Sequence, residues 1–363
     1  MMKNRCHCCR AAAWLLAGLA GWLLVTGGGV QAKPAQRQAG ETGGGTAGAS
    51  ASFRGEAAVV FGSVLGLPLS VSDTGPLPGS GGAREASLLN ADVPGLLSLK
   101  VCHAATVGQG DVTFSEASVA NVGLNVGGNV VGADFVMSWA MTSCCTNLPE
   151  LSGRSIIAGL VVNGQAIEAS GQPNQTIALP NGRIVINEQV TLLTETSADI
   201  TVNALHIVVN GVADIVISSA YAGITCGGGE GQPPQPCGDF VTGGGWITDT
   251  PSGAKANFGV AGGIRNGALW GHLNYIDHGN GMHVKHTSVI GYAMDPDDAD
   301  CRIIDYTVTI NGMPGTARVR VCDKGEPGRN DIFEIALSNG YSAGGDLGGA
   351  RPGGGNIQLH VCR

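Results

Sequence analysis

Charge is scarce in this chain. Only 13% of its 363 residues are Asp, Glu, Lys or Arg, about half the share of an ordinary soluble domain. The formal net charge is −8, and no block of Lys and Arg occurs beyond the N-terminus. Nucleic-acid binding draws on clustered cations that neutralise phosphates, so that class of partner is excluded. Aromatic residues are also sparse, at 5%. A glycosidase needs two carboxyls at a set separation across a sugar cleft, and nothing in the chain outlines such a cleft. A His-Glu-x-x-His pair and a Cys–His nucleophile pattern are missing as well. The expectation is a protein without catalysis. Long amphipathic helical patterns are lacking throughout the part that follows the first 32 residues.

Glycine, in contrast, is abundant at 60 residues. Its irregular spacing excludes a collagen repeat. Asn-Gly recurs at Asn163, Asn181, Asn210, Asn266, Asn280, Asn311 and Asn339, and this dipeptide between apolar runs is the strongest short signal of a β-hairpin. Stretches such as "RIVINEQV" and "NIQLHV" alternate apolar and polar residues, as strands do when one face lies on a core. The fold class read from these patterns is all-β, with two antiparallel β-sandwich or jelly-roll-like domains.

The N-terminus reads as a targeting segment. Lys3, Arg5 and Arg10 precede an apolar run from Ala11 to Val25, and Val30-Gln-Ala32 supplies small residues for cleavage. The apolar run is short for a bilayer span of about 20 residues, so residues 1–32 are taken as a cleaved signal peptide, with no membrane span in the mature chain. Residues 33–52 form a small, polar, flexible lead-in. The Gly- and Pro-rich stretch 227–237 is a linker that divides a β domain at 53–226 from a C-terminal β module at 238–363.

Eight cysteines follow the signal: Cys102, Cys144, Cys145, Cys226, Cys237, Cys301, Cys322 and Cys362. An even number in an exported chain reads as disulfides. The expected scheme closes four cysteines within each half, with Cys237 and Cys362 tying the ends of the second and Cys301 and Cys322 flanking the reversal at "INGMPGT".

The stretch "DKGEPGRND" concentrates Asp323, Glu326 and Asp331 between two strands. Carboxylates on a tight turn can serve calcium, which takes six to eight oxygens, so these three residues are the candidate metal ligands and calcium the candidate cofactor. The alternative is a turn set by Gly325, Pro327 and Gly328, with Asp323 and Asp331 bonded to local amides. His272, His278 and His283 offer a second, zinc-like set, weighed against partly exposed strand residues. The glycines of "VTGGGWI" lack the Lys-Ser/Thr of a phosphate loop and suit a bulge or close packing of Trp246. Trp246 and Trp270 are considered as a glycan-stacking face.

"GEAAVVFGSVLGLPLSV", "LSGRSIIAGLVVNGQAI", "PNQTIALPNGRIVINEQV" and "DITVNALHIVVNGVADIVISSAYAGI" resemble choice-of-anchor P family proteins of bacterial cell surfaces. The likeness covers most of 53–226, with Asn187-Glu188-Gln189 and Val202–His206 as its most specific parts. "FVTGGGWI", "DKGEPGRNDIFEI" and "GGGNIQLH" resemble the module that commonly follows that domain. The resemblance implies an exported β protein whose anchor varies among members and whose activity is unassigned. The final "GNIQLHVCR" has no sortase-type motif, apolar tail or basic stop, so a secreted or noncovalently held product is expected. The expected location is extracellular or cell-surface associated. The expected partners are cell-surface or matrix components, glycans among them, in a structural, adhesive or carbohydrate-binding role.

Overall fold

The computed structural model describes residues 51–145, 148–227, 238–265, 267–347 and 354–361. The signal segment, nearly all of the lead-in and residues 228–237 of the linker lie outside the described residues. All regular structure among the described residues is β-strand, so the chain is all-β as its alternation predicts.

The N-terminal unit contributes β1 (Ser52–Val64), β2 (Leu67–Asp73), β3 (Gly82–Val93), β4 (Leu97–Gln109), β5 (Val112–Val126), β6 (Asn129–Cys145) and β7 (Leu148–Ala158). It continues with β8 (Val161–Val162), β9 (Gln165–Ala166), β10 (Gln175–Leu179), β11 (Gly182–Leu193), β12 (Ser197–Val209) and β13 (Ala213–Thr225). The C-terminal unit contributes β14 (Phe240–Ile247), β15 (Ala256–Arg265), β16 (Ala268–Asp277), β17 (Met282–Met294) and β18 (Cys301–Ile310). Its last strands are β19 (Met313–Cys322), β20 (Ile332–Leu337), β21 (Ser342–Asp346) and β22 (Gly355–His360).

Three antiparallel sheets result. The outer sheet runs β10-β11-β12-β13-β1-β2, and the central sheet runs β3-β4-β5-β6-β8-β9 with β7 also on β6. They stack face to face over a shared core that includes Val59, Leu99, Val119, Val136, Leu205 and Ile217. Cys144 and Cys226 form a disulfide that fastens the end of β6 to the end of β13, and so one sheet to the other.

The third sheet is a single nine-stranded meander, β21-β20-β19-β18-β17-β16-β15-β14, with β22 added beside β14. It supplies its own two packed layers by curling. Phe258 on β15 stacks on Phe333 on β20 with ring centroids 3.9 Å apart, although four strands separate them in the sheet order. The Tyr306 hydroxyl on β18 donates to the Ala261 carbonyl on β15 at 2.7 Å, across the same interior. Alternate residues of β18, namely Ile304, Tyr306, Val308 and Ile310, point into this core. Register shifts between His286 and Ser288 and between Val289 and Gly291 bend β17, as bulges do.

The turns follow the Asn-Gly signals. Asn163-Gly164 joins β8 to β9, and Asn311-Gly312 joins β18 to β19, as two-residue turns with positive φ at both positions. Such turns match the twist of the flanking strands, and Asn and Gly tolerate that backbone. Cys301 and Cys322 sit opposite each other at the far end of the β18–β19 pair and are disulfide-bonded.

The free face of the central sheet packs against the curled sheet, with β3, β4 and β5 meeting β14, β15 and β16. Glycine permits the approach. A Cβ on Gly244 would lie 2.2 Å from Ser118 Oγ, and one on Gly259 would lie 2.8 Å from His103 Cβ. The glycines of "VTGGGWI" therefore serve sheet-on-sheet contact.

Candidate functional site

The interface between the two units carries two apolar clusters. One contains Val101, Ala120, Phe135, Met137 and Ile276, and the other contains Val107, Phe114 and Phe240. His103 lies between Val101 and Val107 on β4, and Glu116 lies between Phe114 and Ala120 on β5. Period-two alternation sends both side chains to the same face, where His272 of β16 meets them.

Four side chains form a line across this interface. Glu116 Oε1 is 2.9 Å from His103 Nε2. His103 Nδ1 contacts His272 Nε2, and His272 Nδ1 is 2.8 Å from Glu85 Oε2 on β3. The Thr242 hydroxyl, from β14, donates to Glu116 Oε2 at 3.3 Å. Beside the line, Asn274 Nδ2 donates to the Cys102 carbonyl at 3.1 Å, a further bond between units. His103, His272 and Glu116 are wholly buried, while the Glu85 side chain is 31% exposed.

Burial fixes the charge states. Removal from water penalises charged forms, which pushes Glu116 up to about 8 and His103 down to about 4. His272 is lowered by burial and then by the neighbouring His103. Burial alone would raise Glu85, but the hydrogen bond from His272 and the nearby imidazoles outweigh it and hold it below the usual carboxylate range. At neutral pH Glu116 therefore keeps its proton, both histidines are neutral and Glu85 is ionised. Donors then run one way: Glu116 O–H to His103 Nε2, His103 Nδ1–H to His272 Nε2, and His272 Nδ1–H to the Glu85 carboxylate. The Glu116 oxygen left without a proton accepts from Thr242. Every link has one donor and one acceptor, and the net charge rests at the exposed end.

The proposed calcium ligands have a different employment. Asp323 Oδ1 accepts the Gly325 N–H at 3.0 Å and its Oδ2 accepts the Leu359 N–H at 2.9 Å. Asp331 Oδ1 accepts the Lys324 N–H and its Oδ2 the Ile357 N–H, both at 2.8 Å. Glu326 Oε1 accepts from Asn356 and Gln358 side chains. Leu359 and Ile357 belong to β22, so the loop fastens the last strand to the β19–β20 end and closes the curled sheet. The three carboxyls do not converge: among the described residues, Asp298, Cys301 and Cys322 are the one group of three within 4.8 Å, and its cysteines are disulfide-bonded. The turn reading thus describes "DKGEPGRND" better than the metal reading, with amides of β22 added to the local ones.

The zinc-like set is dispersed too. His272 belongs to the buried line, and His278 Nε2 pairs with Asn257 Oδ1 at 2.8 Å. His286, which packs near His272 with ring centroids 5.7 Å apart, is lowered to about 4 by burial and then by His272. Trp246 packs on Phe135 and Trp270 on Phe240. Both indoles are partly buried against the interface between units.

Cys102 departs from the disulfide expectation. It is a buried free thiol in the core of the outer and central sheets, raised to about 12 by burial and then by Asp92. Its side chain lies among the apolar residues of that core, and it packs as a small hydrophobe. Cys145 lies half-buried beside Cys144, and Cys237 and Cys362 lie outside the described residues. An open cavity of about 700 Å³ lies on the curled sheet, lined by Pro251, Ile303, Arg318, Arg320 and Glu334. Its arginines are paired with Asp305, Asp295 and Glu334.

Sequence reasoning passed over His103, Glu116 and Glu85. The available signal was a lone titratable residue inside a small or apolar strand, as in "KVCHAATV" and "TFSEASVANV".

No family model matches the chain, and no curated protein matches it. A solved structure from Nitrosomonas europaea, described only provisionally as an AttH, aligns over 85% of this chain and 92% of its own length at 8% identity and a TM-score of 0.22. A likeness that slight carries no argument about fold or activity.

Proposed function

We propose that the protein is an exported bacterial β-scaffold, a surface or extracellular-matrix component with a structural or binding role and no catalysis. The observation that supports this reading is the pair of disulfides, Cys144–Cys226 and Cys301–Cys322, one in each unit. Such bonds persist in oxidising compartments and are rare where thiols are kept reduced. In the chain-entropy description a loop as long as that between Cys144 and Cys226 is worth about 4.5 kcal/mol, so the scaffold depends on its compartment. The targeting features of residues 1–32 and the resemblance to choice-of-anchor P proteins agree with export.

Cell fractionation combined with N-terminal sequencing and thiol mapping tests the location. The expected result is a protein in the envelope or medium that begins near Lys33, with both disulfides formed. A reduced protein retained in the cytoplasm with its N-terminus intact refutes the reading. A glycan array of the mature chain, run with and without calcium, tests the binding role.

A further inference from the structure

We propose that Glu116, His103, His272 and Glu85 form a pH-set latch that holds the two units together through one directed hydrogen-bond chain. This goes beyond the scaffold reading and does not depend on export. The chain begins on β5, crosses to the second unit at His103–His272 and returns to β3 at Glu85. Of the two proton arrangements that complete every link, it takes the one that leaves the charge at the exposed Glu85 end. If the line loses the Glu116 proton, two hydrogens are left for three links, and a carboxylate or an imidazole lone pair faces another lone pair in the interior. If a histidine gains a proton, an imidazolium is buried and two hydrogen-bond donors confront each other.

The charged groups around the line are few. Glu326, from the loop after β19, opposes ionisation of Glu116. His286 on β17 acts on Glu85 and is itself opposed by Lys285, and Tyr306 on β18 feels Glu85. Among the described residues, the groups that favour an ionised Glu116 are the Thr242 hydroxyl and His272.

The signs follow from linkage. Glu116 is raised to about 8 in the closed state, so its contribution is full below the ordinary carboxylate range and is lost as pH rises towards 8. His103 is lowered to about 4, so its contribution is full above the ordinary imidazole value and is lost as pH falls. Between those two ordinary values the Glu116 loss and the His103 gain offset each other, and the lowered His272 adds a further gain as pH rises. The latch is therefore tightest near the ordinary histidine value, about 6.5. It loosens by about tenfold per pH unit above that, for one proton released, and levels off once Glu116 has ionised.

The Glu116→Gln variant tests this, because its amide N–H can donate to His103 Nε2 and cannot titrate. Urea unfolding of the full chain is measured between pH 6.5 and 8.5 for both proteins. Burial pushes Asp331 up to about 7 as well, so the difference between the two profiles is read. The expected result is a wild-type stability that falls more steeply than the variant's by about tenfold per pH unit. Parallel profiles overturn the proposal. Imidazole ¹⁵N shifts of the wild-type protein at pH 7 stand independently of whether the variant folds. Unprotonated Nε2 on both His103 and His272 is expected, and a protonated His103 Nε2 overturns the directed chain. Stoichiometric zinc or copper held by these imidazoles in the protein as isolated also overturns it.

Discussion

Gly259 of the curled sheet lies directly against the His103 side chain of the central sheet, with room for a hydrogen and none for a methyl group. A Cβ there would fall 2.8 Å from His103 Cβ. The buried line of four side chains depends on that closeness, because His103 reaches His272 only when β15 and β16 sit flat on β4.

Gly259→Ala is therefore expected to destabilise the protein by about 1–3 kcal/mol through overpacking, and Gly244→Ala, facing Ser118, to do the same. Gly123→Ala is the control, since its Cβ would find its nearest atom at 3.9 Å. In a strand interior that change is neutral or mildly stabilising, by up to about 1 kcal/mol. Urea unfolding midpoints of the three variants check the contrast.

Asp331→Asn is expected to cost about 1–3 kcal/mol, because one of the two amides now bonded to the carboxyl would face an NH₂ group. Native-state hydrogen exchange should quicken at Lys324 or Ile357, whose N–H groups Asp331 accepts. Glu326→Gln, with its side chain 44% exposed, should shift stability by no more than about 0.5 kcal/mol.

Calcium removal should leave the fold unchanged. The Asp323 and Asp331 oxygens all accept backbone amides, and these bonds need no ion. Melting curves with EDTA and with added calcium are expected to coincide, and a lower melting temperature in EDTA would restore Asp323, Glu326 and Asp331 as ligands.

Local order was legible and long-range order was not. Asn311-Gly312 announced its turn because the residue types that tolerate positive φ are few. "RIIDYTVTI" announced β18 because one face is buried and the period is two. The pairing of Cys301 with Cys322 followed from their flanking of that hairpin. His103 and His272, in contrast, are 169 residues apart, and no local pattern encodes which distant strands will face each other. The curling of the third sheet was hidden for the same reason: Phe258 and Phe333 each look like ordinary core residues until the sheet brings them into contact. Asp323 and Asp331 left two readings open because a carboxylate that bonds amides and one that binds calcium have the same sequence signature.

Differential scanning calorimetry of the full mature chain at pH 6.5 probes most directly whether the His103–His272 line binds the two units into one cooperative body. A single endotherm is expected, with equal calorimetric and van't Hoff enthalpies, dividing into two in Gly259→Leu. Two separate endotherms in the wild-type protein would show that the units unfold independently and that the buried line does not join them.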